Sequence, residues 1–393
     1  MPSGKPPFSL PALIYEPKVR GIVLQVLLVV ALAMAAWSLA SNVAVNLQRQ
    51  NIASGFGFLD RTAGFEISQQ LIAFEPTDSY GRAFVVGLLN TLLVAGLGIV
   101  LATILGFTVG IARLSSNWIV SRLALTFVEI VRNMPPLLTL FIVYFAAIKT
   151  LPGPRQSIAL PFSSYLNVRG LYLPKPQWLD GSAAIPGALL AGIVASLLLA
   201  RWARRRQMAT GQQVPVVLPS LALVLGFPLL AFLAAGQPVA FDYPELKGFN
   251  FSGGMVVQPE FIALLFGLTI YTAAFIAEIV RAGIAGVPKG QKEAAAALGL
   301  SAGHSMRLVV LPQAMRIVIP PLTTQYLNLT KNSSLAVAIG YPDLVSVFAG
   351  TVLNNTNQAI ECILITMGVY LILSILTSIG MNYFNARMAL VER

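Results

Sequence analysis

The sequence predicts an all-α polytopic membrane protein of about eight transmembrane helices. Three observations predict it. Mean hydropathy is +0.76. Only 10% of residues are charged against 56% hydrophobic, whereas a soluble domain carries roughly 25% charged residues. Apolar stretches long enough to cross a hydrocarbon core, which takes about 20 helical residues, recur along the chain between polar connections. The net charge of +11 is dispersed over those connections, so it reads as membrane orientation rather than as a nucleic-acid footprint.

Taken in order, residues 1–20 are polar and proline-rich, and 21–45 form the first span. A cleaved signal peptide is the alternative there; the apolar stretch exceeds the usual h-region length of about 7–15 residues, which favours an uncleaved anchor. Residues 46–82 make a mixed loop. The second span, 83–112, is rich in glycine, and small residues let helix backbones approach in lipid. The third, 123–148, contains Pro135-Pro136. Residues 149–181 are a proline-rich loop with Tyr165, Tyr172 and Trp178 as interface anchors. Spans follow at 182–200, which ends in Arg201 and Arg204-Arg205-Arg206, at 215–235, and at 259–280, with a loop at 236–258. A polar-interrupted span at 317–339, with Pro320-Pro321 expected to kink it, precedes a last span at 361–384 and a tail at 386–393.

Eight spans put both termini on one side. Sixteen lysines and arginines then fall on that side and eight on the other, with Arg132 and Lys331 inside spans. The positive-inside rule makes the richer side cytoplasmic. A lone Cys362 and a lone His304 exclude an internal disulfide and a multi-Cys/His metal cluster.

The most informative stretch lies after the sixth span. Pro288 and Gly290 interrupt the preceding helix; Gln291 to Leu298 are good helix formers, and Gly299 suits a left-handed terminus. Glu293 is expected near this helix's positive N-terminal end, and Ser301 caps a second helix. Ala294 to Ala297 offer a low-relief face that a partner's backbone could approach.

Glu293-Ala294-Ala295, then Gly299, then Val309 and Leu311-Pro312, resembles in spacing the EAA loop of importer-type ABC permeases, with Val where Ile is usual. Gly87-Leu-Leu-Asn90-Thr91, Glu129-Ile-Val-Arg132-Asn-Met-Pro135-Pro136, Glu278-Ile-Val-Arg281 and Lys331-Asn-Ser-Ser-Leu335 resemble segments of the polar amino acid (histidine/glutamine type) permeases. The last departs from the family's Lys-Asp-Thr-Ser-Leu. The extra first span and an inserted pair at about 182–235 resemble the Q-type permease subunit of Aap/Bzt-like general L-amino acid transporters.

The resemblance implies a type I ABC importer permease core with extra helices. It would occupy 83–385, with a coupling loop at about 288–312, preceded by an extra helix and periplasmic loop at 21–82. It also implies the partners: a second homologous permease, an ATP-binding cassette ATPase dimer carrying ATP and Mg, and a periplasmic amino-acid-binding protein, all served from the bacterial inner membrane. No cofactor is expected on this chain, which lacks a Gly-x-x-x-x-Gly-Lys-Ser/Thr phosphate loop. Gln291, Glu293, Ala294, Ala295, Leu298 and Gly299 are the expected coupling residues.

Charges within spans point to the pathway, because each costs roughly 2.5–3.5 kcal/mol at the bilayer centre on insertion scales. Glu129, Arg132 and Asn133 lie beside the Pro135-Pro136 break; Asn328, Lys331 and Asn332 lie near the end of the seventh span. Two readings stand for Glu129 and Arg132: mutual neutralisation at i,i+3, or lining a substrate pathway where freed backbone groups face water. Lys331 is either part of that pathway or a snorkelling lysine at the interface. Glu278 and Arg281 read as a structural ion pair beside the loop. An ion-gradient-driven transporter is the alternative in class, though no inverted repeat is evident. A narrower substrate, glutamine or an opine, is the alternative within it.

Overall fold

The computed structural model describes residues 17–49 and 55–388. Residues 1–16 of the expected N-terminal segment and 389–393 of the expected tail lie outside them. The elements in chain order are α1 (Pro17–Arg49), α2 (Tyr80–Ala112), α3 (Trp118–Arg132), α4 (Pro136–Thr150), β1 (Ile158–Leu160), β2 (Ser164–Asn167), β3 (Gly170–Leu173), β4 (Lys175–Trp178), α5 (Ala184–Thr210) and α6 (Val217–Ala234). There follow β5 (Val239–Asp242), β6 (Glu245–Lys247), β7 (Asn250–Ser252), β8 (Met255–Val257), α7 (Pro259–Ala285), α8 (Lys289–Ala297), α9 (Leu311–Asn332) and α10 (Ala359–Met388).

The helical membrane fold expected from the composition is present, but two of the eight expected spans differ. Among the described residues six helices are long and apolar enough to cross a membrane: α1, α2, α5, α6, α7 and α10. The stretch 123–148 is not one straight span. It is split between α3 and α4, which meet at 109°. Pro135 and Pro136 explain the break: proline has no N–H to donate, and the residue before it is driven out of the helical region. Pro135 accordingly takes an extended conformation as the N-cap of α4. Counted as one bent span, the pair makes a seventh. The stretch 317–339 is the other difference. Arg316, Thr323, Thr324, Gln325, Asn328 and Lys331 leave α9 too polar to qualify, and a 3₁₀ turn, Ser333–Ile339, replaces its expected end.

The chain divides into two compact units, one made of residues up to Leu93 with Pro342–Ala386, the other of Val94–Tyr341. In the first, the 55–79 connection folds back instead of forming a loose loop. It contributes Phe58, Ile67 and Phe74 to a core with Val86, Leu344, Phe348 and Cys362. The edge-on pair Phe84–Phe348, centroids 5.3 Å apart, belongs to it. Asn90 and Thr91 then have a specific task. Asn90 Nδ2 donates to the carbonyls of Gln69 and Pro342, at 2.8 and 2.9 Å. Thr91 Oγ1 accepts from Leu344 N at 2.9 Å. The pair satisfies buried backbone groups of a turn far away in sequence.

In the second unit α7 is the central pillar, buried along most of its length, as a helix apolar on nearly all sides should be. It packs against α3, α4 and α9. The late turns of α2 also approach it: a Cβ on Gly110 would meet Ala277 O at 2.7 Å, so only glycine fits there.

The connections 149–181 and 236–258, expected as loops, form a nested antiparallel β module. One sheet has the order β1-β2-β3-β8; β4 pairs with β5 and β6 with β7. The α5–α6 pair therefore leaves and re-enters through the β4–β5 ladder, and β3 pairing with β8 (Leu171 opposite Val257) closes the module just before α7. The β2–β3 hairpin turns at Val168-Arg169, between the paired Asn167 and Gly170; the pairing with β8, more than 80 residues on, has no local signal.

Candidate functional site

The region after α7 is a helix–turn–helix set at its C-terminal end. Val287 is buried, and Pro288, in an extended conformation, caps α8. The helix begins at Lys289, two residues before Gln291, so Glu293 falls in its second turn, beyond the reach of the N-terminal dipole. The C-terminus closes as expected. Gly299 takes φ +77°, Leu298 N donates to Ala294 O, and Leu300 N donates to Ala295 O. This is the left-handed terminus that glycine adopts without steric cost. Ser301 caps the single turn Ala302–Ser305, with its Oγ 2.7 Å from His304 Nδ1. A π turn over Met306–Val310 leads into α9.

The expected coupling residues divide into two groups. Gln291 accepts from Gln313 Nε2 at 3.3 Å, and the same nitrogen donates to Val309 O at 3.0 Å, so the loop is tied to the base of α9. Ala295 is 3% exposed and packs inward. Glu293, Ala294, Leu298 and Gly299 face outward, and Leu298 is 82% exposed. A large aliphatic side chain presented at the tip of a small-residue turn is an apolar knob without a cover among the described residues.

Immediately before this loop stands an ion cluster that sequence spacing found only in part. Arg281 Nη2 lies 2.6 Å from Glu278 Oε1 and its Nε donates to Oε2 at 3.0 Å. Arg113, at the end of α2, donates to the same carboxylate. Its side chain is only 9% exposed. Two guanidiniums thus clamp one carboxylate and fix the end of α2 to the end of α7. Nothing in the sequence signals a partner 165 residues away.

The expected pathway residues fall into two places. Glu129, Arg132 and Asn133 are exposed at the end of α3. Glu129 and Arg132 form no ion pair among the described residues, so mutual neutralisation is not their arrangement. Arg132 instead lies over the Phe275 ring of α7, 5.5 Å from its centroid, and Asn133 Nδ2 donates to Glu129 O at 2.7 Å. Asn328 and Lys331 are exposed and Asn332 half-buried on the last turns of α9. Ser334 Oγ donates to Lys331 O at 2.7 Å. No hydrogen bond among the described residues joins the two groups.

Comparison with known families decides what this arrangement belongs to. The model of the binding-protein-dependent transport system inner membrane component matches residues 184–390, more than half of the chain. The chain belongs to this family. It is a multi-pass inner-membrane permease, a transporter component and not an enzyme. The matched segment begins at α5 and contains the whole of the loop between α7 and α9. Among relatives of this permease is the general L-amino acid transport system permease protein AapQ of Rhizobium johnstonii, 57% identical over 386 residues, covering 98% of this chain and 96% of the relative. The putative amino-acid ABC transporter permease protein YhdX of Escherichia coli is 52% identical over 378 residues, covering 96% of each. The glutamate/glutamine/aspartate/asparagine transport system permease protein BztB of Rhodobacter capsulatus is 41% identical over 418 residues, covering 98% and 97%. These three matches run nearly end to end on both chains.

Proposed function

We propose that this permease carries L-amino acids of differing side chain inward, together with a second, related permease. Near-full-length identity of 57% to a general L-amino acid permease carries the reading. In it, ATP and Mg are held by separate ATP-binding subunits, a periplasmic binding protein delivers the amino acid, and both termini of this chain are cytoplasmic. The α8 loop receives the ATPase: Leu298 enters an apolar pocket of the partner while Glu293, Ala294 and Gly299 set the contact surface around it. Exposed Gln291, through Gln313, and buried Ala295 hold the loop in shape.

A free amino acid at neutral pH always offers a carboxylate and an ammonium. Arg132, stacked on Phe275 and without an acidic partner among the described residues, has its planar fork open for a carboxylate. Glu129, one helical turn away, supplies the opposite charge. Asn133, Asn328, Lys331 and Asn332 line the same route in this reading. The test is uptake into vesicles by the co-purified complex with acidic, neutral and basic amino acids. ATP-dependent uptake of all three classes is expected. Uptake driven by an ion gradient without ATP would overturn the mechanism, and uptake confined to one amino acid would narrow the substrate.

A further inference from the structure

The inserted pair α5–α6 carries a feature that lies outside the residues assigned above to coupling or to the pathway. The two helices pack closely on each other: a Cβ on Gly192 would lie 2.6 Å from Leu223 O. Their remaining faces are apolar and open, with Leu190, Leu197, Leu225 and Leu230 each more than half exposed. Lipid is the medium for such faces. The apolar stretch of α5 runs from Ala184 to Ala200, seventeen residues or about 25 Å of helix, close to a hydrocarbon core of about 30 Å. The helix then continues for ten residues beyond it.

The first turns of that extension hold Arg201, Arg204, Arg205 and Arg206, all exposed. Arg201, Arg204 and Arg205 share one face at i, i+3 and i+4. They rise within about 8 Å of the end of the apolar stretch, which is the depth of the headgroup layer. Trp202 is half exposed beside them, with the Arg206 guanidinium 5.3 Å above its ring, the position an interfacial tryptophan occupies. No aspartate or glutamate occurs between Asp180 and Asp242. None of the four arginines has an ion-pair partner among the described residues.

We propose that Arg201, Arg204 and Arg205, with Trp202 and Arg206 at their flank, form a binding site for anionic phospholipid headgroups. Charge alone would suit an acidic protein surface or free phosphate. The uncovered leucines directly below the arginines require an apolar companion to the anion, and a phospholipid offers both in one molecule. The leaflet is set by the fold. Both α5 and α7 start from the β module, through β4 and β8, and run away from it. The arginine end of α5 is therefore on the same membrane side as the α8 loop. The inserted pair holds headgroups in the leaflet that faces the ATPase.

The test reads the site directly. The full-length chain with Trp37, Trp118 and Trp178 changed to Phe keeps Trp202 as its only tryptophan. It is reconstituted in phosphatidylcholine vesicles with increasing fractions of phosphatidylglycerol or phosphatidylcholine brominated in the acyl chains. Brominated phosphatidylglycerol should quench Trp202 with a relative association at least about fivefold above brominated phosphatidylcholine, and high salt should reduce that preference. The triple change Arg201→Gln, Arg204→Gln, Arg205→Gln should bring the ratio to unity, while quenching by brominated phosphatidylcholine stays as before and shows that the helix still inserts. The corresponding lysine triple should keep most of the preference. Equal quenching by the two lipids in the parent chain, or a preference surviving in the glutamine triple, would overturn the proposal. So would reversal by soluble glycerol phosphate, which would mark a free-anion site.

Discussion

Arg132 is the residue whose environment most changes its interpretation. Spacing alone pairs it with Glu129; in the fold it stacks on Phe275 and leaves its donors open. Arg132→Gln should then reduce uptake of acidic, neutral and basic amino acids by similar factors, with assembly and basal ATPase retained. The double change with Glu129→Gln should not restore uptake. Restoration, or a loss confined to one substrate charge class, would return Arg132 to a structural role. Glu278 shows the converse case. Glu278→Gln leaves the buried Arg113 without its counter-charge, at a cost of roughly 3 kcal/mol. Arg281→Gln, at a more exposed position, should cost under about 1 kcal/mol. Thermal unfolding in detergent of the two variants checks the order, and equal losses would show that the cluster is not centred on Arg113.

Asp343 offers a pH test at the same scale. Burial pushes its carboxyl from the usual 3.8 up to about 7, even though Ser346 N and the Tyr370 hydroxyl donate to it. Below about pH 4 folded and unfolded chains both hold the proton, and the fold bears no penalty. Between about 4 and 7 the unfolded chain releases it while the folded chain keeps it, so stability falls as pH rises; above 7 the loss is complete, on the order of 4 kcal/mol. Asp343→Asn keeps an oxygen for Ser346 N. It should remove this decline between pH 5 and 8 in thermal unfolding, and an unchanged slope would exclude Asp343 as its source.

At the scale of elements, the α8 loop works through shape. Gly299 holds φ +77° with open space around it, so a side chain there meets backbone strain and not a clash. Gly299→Val should cost about 1–2 kcal/mol locally, and in the reading proposed above it should displace Leu298. Substrate-stimulated ATPase and uptake should then fall severalfold while the chain still inserts. Gly299→Asn, tolerant of the left-handed region, should retain more of both. Full stimulation in the valine variant would remove the loop from coupling. Spacing foretold this loop well, because its order is local: a proline, a run of helix formers, a glycine and a cap each act within a few residues. It placed the start of α8 two residues late and could not tell inward Ala295 from outward Ala294, since only packing against the rest of the chain distinguishes them.

At the scale of the whole molecule the orientation in the membrane is the open proposition, and the fold selects the positions that test it. Ala203 is buried beside the arginines and Gly170 is buried in β3, so neither suits labelling; Met208 and Phe249 are 80% and 75% exposed. In a Cys362→Ala background, Met208→Cys should react with an impermeant thiol reagent only from the cytoplasm and Phe249→Cys only from the periplasm. The reverse pattern would invert the topology.

The sequence by itself determined the medium, most of the spans, the coupling-loop pattern and the family, because these depend on composition and on spacings of a few residues that lipid insertion and helix geometry read directly. Only the tertiary structure decided the 109° break between α3 and α4, the nested β module around α5 and α6, and the joining of Arg113 to Glu278. The break was visible as two prolines, but its angle was not, since neighbouring helices set it. The module and the cluster depend on partners some eighty to more than a hundred and sixty residues apart. Their free energy exists only once distant segments have met, so no local pattern announces them.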